Sequence, residues 1–267
     1  MQVRSPIASL TAIAAAMALP YTPVLGANQD EIQVYDDAIN KPGEFGLEVH
    51  LNGTPLGRSF ELYPGEITNN HGFRDTPEFS YGLTKDLELG FYADGEIDGE
   101  GTYYLAGTKY RLKWIPIHPE DNGGFFAGAN VEFSAVGYRF SQSLDGLELR
   151  LFGGYHSGGW LIAVNPIFDW GLSGDAASGD PEFTTALKIT RKVADGLSAG
   201  IEYYGDFGKL THLSAWEQQD QRIYGVVDVD LKPVVFNLGV GVGLTRASDA
   251  WTVKGIWEVP IEEIFKR

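Results

Sequence analysis

From Phe45 onward the apolar residues fall on every second position: Phe45, Leu47, Val49 and Leu51 alternate with Gly46, Glu48, His50 and Asn52. A period of two puts each set on its own face of an extended chain. The same beat returns as Leu87, Leu89, Phe91 and Ala93, then as Tyr110, Leu112 and Trp114, then as Ala127, Ala129, Val131, Phe133 and Ala135. It continues through residues 147–155, 160–170, 183–193, 197–207, 223–231, 236–244 and 251–261, with a weaker stretch at 78–84. The pattern predicts twelve strands.

The connections add a second regularity. Lys85-Asp86, Ser157-Gly158-Gly159, Ala194-Asp195-Gly196 and Lys232-Pro233 carry tight-turn chemistry, and a longer connection spans 116–124. Longer polar loops are expected at 53–77, 95–101, 173–181 and 208–221. Short turns at one end and mostly longer loops at the other, with an even strand count, describe an all-β, antiparallel up-and-down transmembrane β-barrel of an outer-membrane type.

A soluble β-sandwich or lipocalin-like barrel also alternates. Two details oppose it. The polar phase is rich in glycine (Gly90, Gly128, Gly154, Gly200, Gly239, Gly241 and Gly243), which suits a crowded lumen wall rather than a solvated face. Aromatic residues gather near strand ends, at Trp114, Trp160, Trp170, Trp251, Trp257, Tyr110, Tyr155 and Tyr203, as in an interfacial girdle.

Composition narrows the setting. Residues 1–27 read as a cleaved signal peptide, with Arg4 the lone charge, an apolar 7–19 stretch, Pro20 and small residues before Asn28. Residues 28–267 are then one barrel domain, and 240 residues over twelve strands leave 20 for each strand and its connection. Outer-membrane barrels usually close their last strand on a terminal aromatic, whereas here residues 262–267 follow Ile261 and Phe265 is not terminal. The chain has 20 basic and 36 acidic residues, a balance that excludes nucleic acid as a partner. It has no Cys, so disulfides and thiolate chemistry are absent.

Motifs for chemistry are weak. His50, His71, His118, His156 and His212 make no metal-binding spacing, and no cofactor is expected. Gly196-Leu197-Ser198-Ala199-Gly200 has the form of a nucleophile elbow but opens a strand rather than a helix. His156-Ser157 invites comparison with an outer-membrane phospholipase, yet the two side chains face opposite ways and fall at a turn. Asp94, Glu96, Asp98, Gly99 and Glu100 imitate the start of a calcium loop, but the twelfth position is Leu105, so a solvated acidic loop is expected.

Four segments carry a family resemblance: 31–52 (EIQVYDDAINKPGEFGLEVHLN), 81–90 (YGLTKDLELG), 165–170 (NPIFDW) and 202–208 (EYYGDFG). In these the chain resembles the proteobacterial outer-membrane β-barrel family of phenol meta-pathway transport proteins. The resemblance implies an outer-membrane barrel for small-molecule uptake and brings no catalytic residues with it.

The expected function is a passive channel or uptake protein for a small-molecule solute. The alternatives are a structural or adhesive barrel with a salt-bridged lumen and, further off, a lipid-modifying barrel enzyme. Lys109, Arg111 and Lys113 fall on successive inward positions, with Glu88 and Glu132 expected beside them and Arg150 nearby. Asp206, Asp228 and Asp230 are expected to form a facing acidic wall. Expected partners are outer-membrane lipid, lipopolysaccharide and the barrel-assembly machinery.

Overall fold

The computed structural model describes residues 31–261, so the signal segment 1–27 and the tail containing Phe265 lie outside the described residues. Strands run in chain order as β1 (Phe45–Leu56), β2 (Phe73–Gly82), β3 (Leu87–Ile97), β4 (Tyr103–Ile117), β5 (Gly124–Val136), β6 (Asp145–Ser157) and β7 (Trp160–Gly171). Then come β8 (Glu182–Ala194), β9 (Leu197–Lys209), the two-residue β10 (His212–Leu213), β11 (Asp220–Asp230), β12 (Val235–Gly243) and β13 (Trp251–Pro260). The twelve long strands pair antiparallel with their neighbours, and β13 pairs with β1, so the sheet closes. β10 only extends β9 at its rim. Closure leaves no unpaired edge, which is what a hydrocarbon environment demands of a sheet.

Where alternation was strong, strand phase matches expectation. Val131 and Phe133 point outward, 46% and 41% exposed, while Glu132 between them is 2% exposed. Leu149 is half-buried on the outer face, between buried Glu148 and Arg150. Where alternation was weak, the boundary moves. β2 begins at Phe73 rather than residue 78, shortening the predicted 53–77 loop to 57–72. Pro77 sits inside β2 opposite Val49, and the ladder to β3 skips Thr76 and Pro77, where a missing N–H is tolerated. β3 runs on to Ile97, so Asp94 and Glu96 are buried inside the barrel instead of lying in a solvated loop. Asp98 alone organises the loop, accepting N–H bonds from Glu100 at 3.0 Å and Thr102 at 2.9 Å.

The outer face is an apolar belt of residues such as Leu112, Val131, Leu151, Ile162, Val164, Ile201 and Val240, each more than 40% exposed. Aromatic side chains flank it. Trp114, Trp160, Trp251, Trp257, Tyr110 and Tyr155 are exposed, whereas Trp170 and Tyr203 are half-buried among their neighbours. Among the described residues no helix is long and apolar enough to cross a membrane.

The interior is not uniformly polar. Inward-facing Ile115, Phe126, Phe152, Ala163 and Ala186 form a buried apolar cluster with Val34 and Tyr35. A smaller one joins Ile32 to Tyr224 and Val226. Ile32, Val34 and Tyr35 precede the first strand. Their segment therefore enters the barrel at the short-turn end, near residues 41–44, and lies within the lumen.

Candidate functional site

Alternation along β4 turns Lys109, Arg111 and Lys113 inward, and all three are buried. Register sets their neighbours: Arg111 stands between Gly90 on β3 and Glu132 on β5, and Lys113 between Glu88 and Asn130. A Cβ at Gly90 would come within 2.6 Å of Arg111 Nε, so glycine leaves room for the guanidinium to lie on the wall. Arg111 donates through Nε to Glu78 at 2.7 Å and through Nη2 to Glu88 at 2.8 Å. Lys109 Nζ lies 3.5 Å from Glu132 and 3.9 Å from Glu31. On β6, Arg150 pairs with Glu148 at 2.9 Å and lies 3.7 Å from Glu31. Lys109, Arg111 and Arg150 persist as buried charges because each has a counter-charge within reach.

The lumen segment threads these groups. Asn165 on β7 accepts the Tyr35 N–H at 2.6 Å and donates to the Tyr35 carbonyl at 2.9 Å. Lys254 donates to the Ile32 carbonyl at 2.9 Å, Arg150 to the Gln33 carbonyl at 3.3 Å, and Glu88 accepts the Asn40 N–H at 2.7 Å. The Tyr35 ring lies among three cations, with Arg150, Lys113 and Arg111 at 4.3, 4.9 and 5.8 Å from its centroid. Its hydroxyl is 3.1 Å from that of Tyr92.

This neck divides the lumen. Towards the turn end lies a cavity of about 320 Å³, lined by Glu48, Glu78, Glu88, Lys188, Glu202 and Asp228 among others. Towards the loop end lies one of about 110 Å³, lined by Glu132, Glu148, Asp169, Glu182 and Arg150. Lys188 bridges Asp228 at 2.8 Å and Glu202 at 3.6 Å, and Lys254 also pairs with Glu202.

The three aspartates expected as one acidic wall do not form it. Asp206 is buried near the loop end, and its Oδ1 accepts the Gly208 N–H at 2.9 Å. Asp228 serves Lys188 near the turn end, and Asp230 is exposed at the last turn, where it accepts the Lys232 N–H at 3.1 Å. Strand length explains this, since residues 206 and 230 lie at opposite ends of neighbouring strands. The counter-charges of the cation ladder are instead Glu78, Glu88, Glu132 and Glu31.

Glu31, Tyr35, Glu78 and Asn165 were not expected at this site. Glu78 sits in the weakly patterned strand behind Pro77, and residues 31–40 carry no period to read. Histidine spacing along the chain does not show that pairing across strands sets Glu48 opposite Glu78, beside His50. With His50 they bring three ligand-type atoms within 4.8 Å of one another. His50 Nε2 is 2.9 Å from Glu48 and 3.8 Å from Glu78, while Gln33 donates to Glu48 at 2.7 Å. With Arg111 on Glu78, these groups continue the ion-pair network. His156 is bonded to Asp37 at 2.7 Å, tying the lumen segment to the turn end. Outside the membrane-facing span, Asp86 is held below the usual carboxylate range by bonds from His118 at 2.7 Å and Lys85 at 3.0 Å.

No protein-family model and no curated protein matches the sequence. Among solved structures, the chain is similar to the COG4313 outer membrane channel from Pseudomonas putida F1, at 11% identity, with a TM-score of 0.59, over 86% of this chain and 99% of that one. It is also similar to the KdgM porin, at 10% identity and a TM-score of 0.52, over 80% of this chain and 98% of that one. The NanC porin matches over the same shares at 10% identity and a TM-score of 0.50. At these identities the likeness is one of fold.

Proposed function

We propose that this chain is an outer-membrane channel that passes small polar solutes and prefers cations. The observation that carries the reading is one lumen holding two cavities, separated by residues 31–36. The apolar belt with its aromatic margins fits a bilayer, with the short turns in the periplasm and the longer loops outside. Lipid and lipopolysaccharide then surround the belt, and the barrel-assembly machinery inserts it.

Charge supports the cation preference. Seven carboxylates line the turn-end cavity against four basic residues, and five line the loop-end cavity against Arg150, with Lys109 and Lys209 behind them. A net acidic wall concentrates cations and repels anions. Lys109, Arg111 and Lys113 narrow the passage at its neck, where long side chains cross a barrel only moderately wider than one that side chains fill. The resemblance to phenol meta-pathway transport proteins adds small aromatic compounds to the solutes worth testing.

Conductance of the purified barrel in planar bilayers tests the reading. A cation-selective current is expected. Replacing Lys109, Arg111 and Lys113 together by Ser should raise it and sharpen the cation preference. A second reading, a structural barrel closed by ion pairs, is favoured by how completely the neck is filled. If the wild type and the triple variant both stay silent across voltage and salt, that second reading replaces the first.

A further inference from the structure

Four of the wall side chains that hold the lumen segment address its main chain, beside others that meet the side chains of Glu31, Gln33 and Asp37. Asn165 satisfies both the N–H and the carbonyl of Tyr35. Lys254 and Arg150 take the carbonyls of Ile32 and Gln33, and Glu88 takes the N–H of Asn40. All four wall residues are at most 5% exposed, and the bonds to Ile32 and Tyr35 are fully buried. A group that reads amide N–H and C=O reads every peptide alike, and alternate side chains set preference. Here the preference is for an aromatic ring at the Tyr35 position, between Arg150, Lys113 and Phe152. The segment has an exposed turn at residues 41–43 from which it could be drawn out.

We propose that the neck is a binding site for an extended peptide, and that residues 31–40 occupy it as a tethered, displaceable ligand. This rests on the channel reading and names its solute class: short peptides carrying one aromatic residue. The tether raises the segment's local concentration, so a free peptide competes only once the segment has left.

The test uses the full chain with residues 31–40 replaced by a Gly-Ser run of equal length. The probes are two synthetic decapeptides: EIQVYDDAIN, and AAAAYAAAAA, which keeps only the tyrosine. Both should bind saturably and interrupt the current, EIQVYDDAIN more tightly because Glu31, Gln33 and Asp37 add wall contacts. Adding Asn165→Ala should weaken both about tenfold, the effect of losing one well-made buried hydrogen-bond pair. Should the Gly-Ser variant not refold, a protease site at residues 41–44 of the natural chain, cut after refolding, allows exchange with labelled peptide to be followed instead. Failure of both peptides to bind or exchange overturns the proposal. So does binding of EIQVYDDAIN alone, which marks a plug recognised by its side chains. Either result leaves the channel reading intact if the emptied barrel conducts.

Discussion

The guanidinium of Arg150 lies over the ring of Tyr35, 4.3 Å from its centroid, and the same side chain donates to the Gln33 carbonyl. One wall residue therefore grips the lumen segment by a ring and by its backbone. A buried cation–π contact contributes on the order of 2 kcal/mol. Tyr35→Ala removes that contact and an aromatic ring that fills the neck. Its single-channel conductance should exceed the wild-type value severalfold. An unchanged current would show that the narrowest point lies elsewhere.

Arg111 faces Glu78 and Glu88, all three buried. Arg111→Met leaves two carboxylates without their counter-charge and should cost about 3–5 kcal/mol, read as a lower urea midpoint in lipid vesicles. Glu78→Gln added to it should restore part of the loss. If the double variant is no more stable than the single one, the pair is not coupled as the geometry indicates.

Val131 faces outward at 46% exposure, next to inward Glu132. Val131→Arg should cost about 2–4 kcal/mol of folding in lipid vesicles if it sits near the bilayer midplane. Val131→Leu should cost little. Equal refolding of both variants would contradict a lipid-facing belt.

Asp86 anchors the first short turn through His118 and Lys85, which lower its carboxyl pKa. A depressed carboxylate lends its stabilisation above its unfolded pKa, ~3.9, and loses it as pH falls through the lower folded value. The protection of the Leu87 amide against exchange, relative to its intrinsic rate at each pH, should hold at neutral pH and fall only below about pH 4. Asp86→Asn should abolish that pH step.

Strand phase was legible because one face is apolar at nearly every second position from Leu87 to Phe133. Register then placed Glu88 and Glu132 beside the cations of β4, two hairpins that can be counted along the chain. What could not be counted was contact through space. Glu78 hid behind Pro77, which reads as a breaker although β1 pairs with it. The lumen segment has neither period nor turn signal. The partners of its main chain lie on β3, β6, β7 and β13, so only the closed barrel brings them together. Asp206, Asp228 and Asp230 were misread for the opposite reason: a shared acidic character stood in for position along a strand.

The lumen segment also carries a record of assembly. Lys254, on the final strand, holds Ile32 across 222 positions of sequence, and Asn165 holds Tyr35 across 130. Glu88, on β3, holds Asn40 across 48. A nascent chain can make the shortest of these bonds first, but the longest must wait until β13 has met β1. Full seating of the segment therefore requires the completed hoop, and a barrel missing its last hairpin would lack the bond from Lys254 to Ile32.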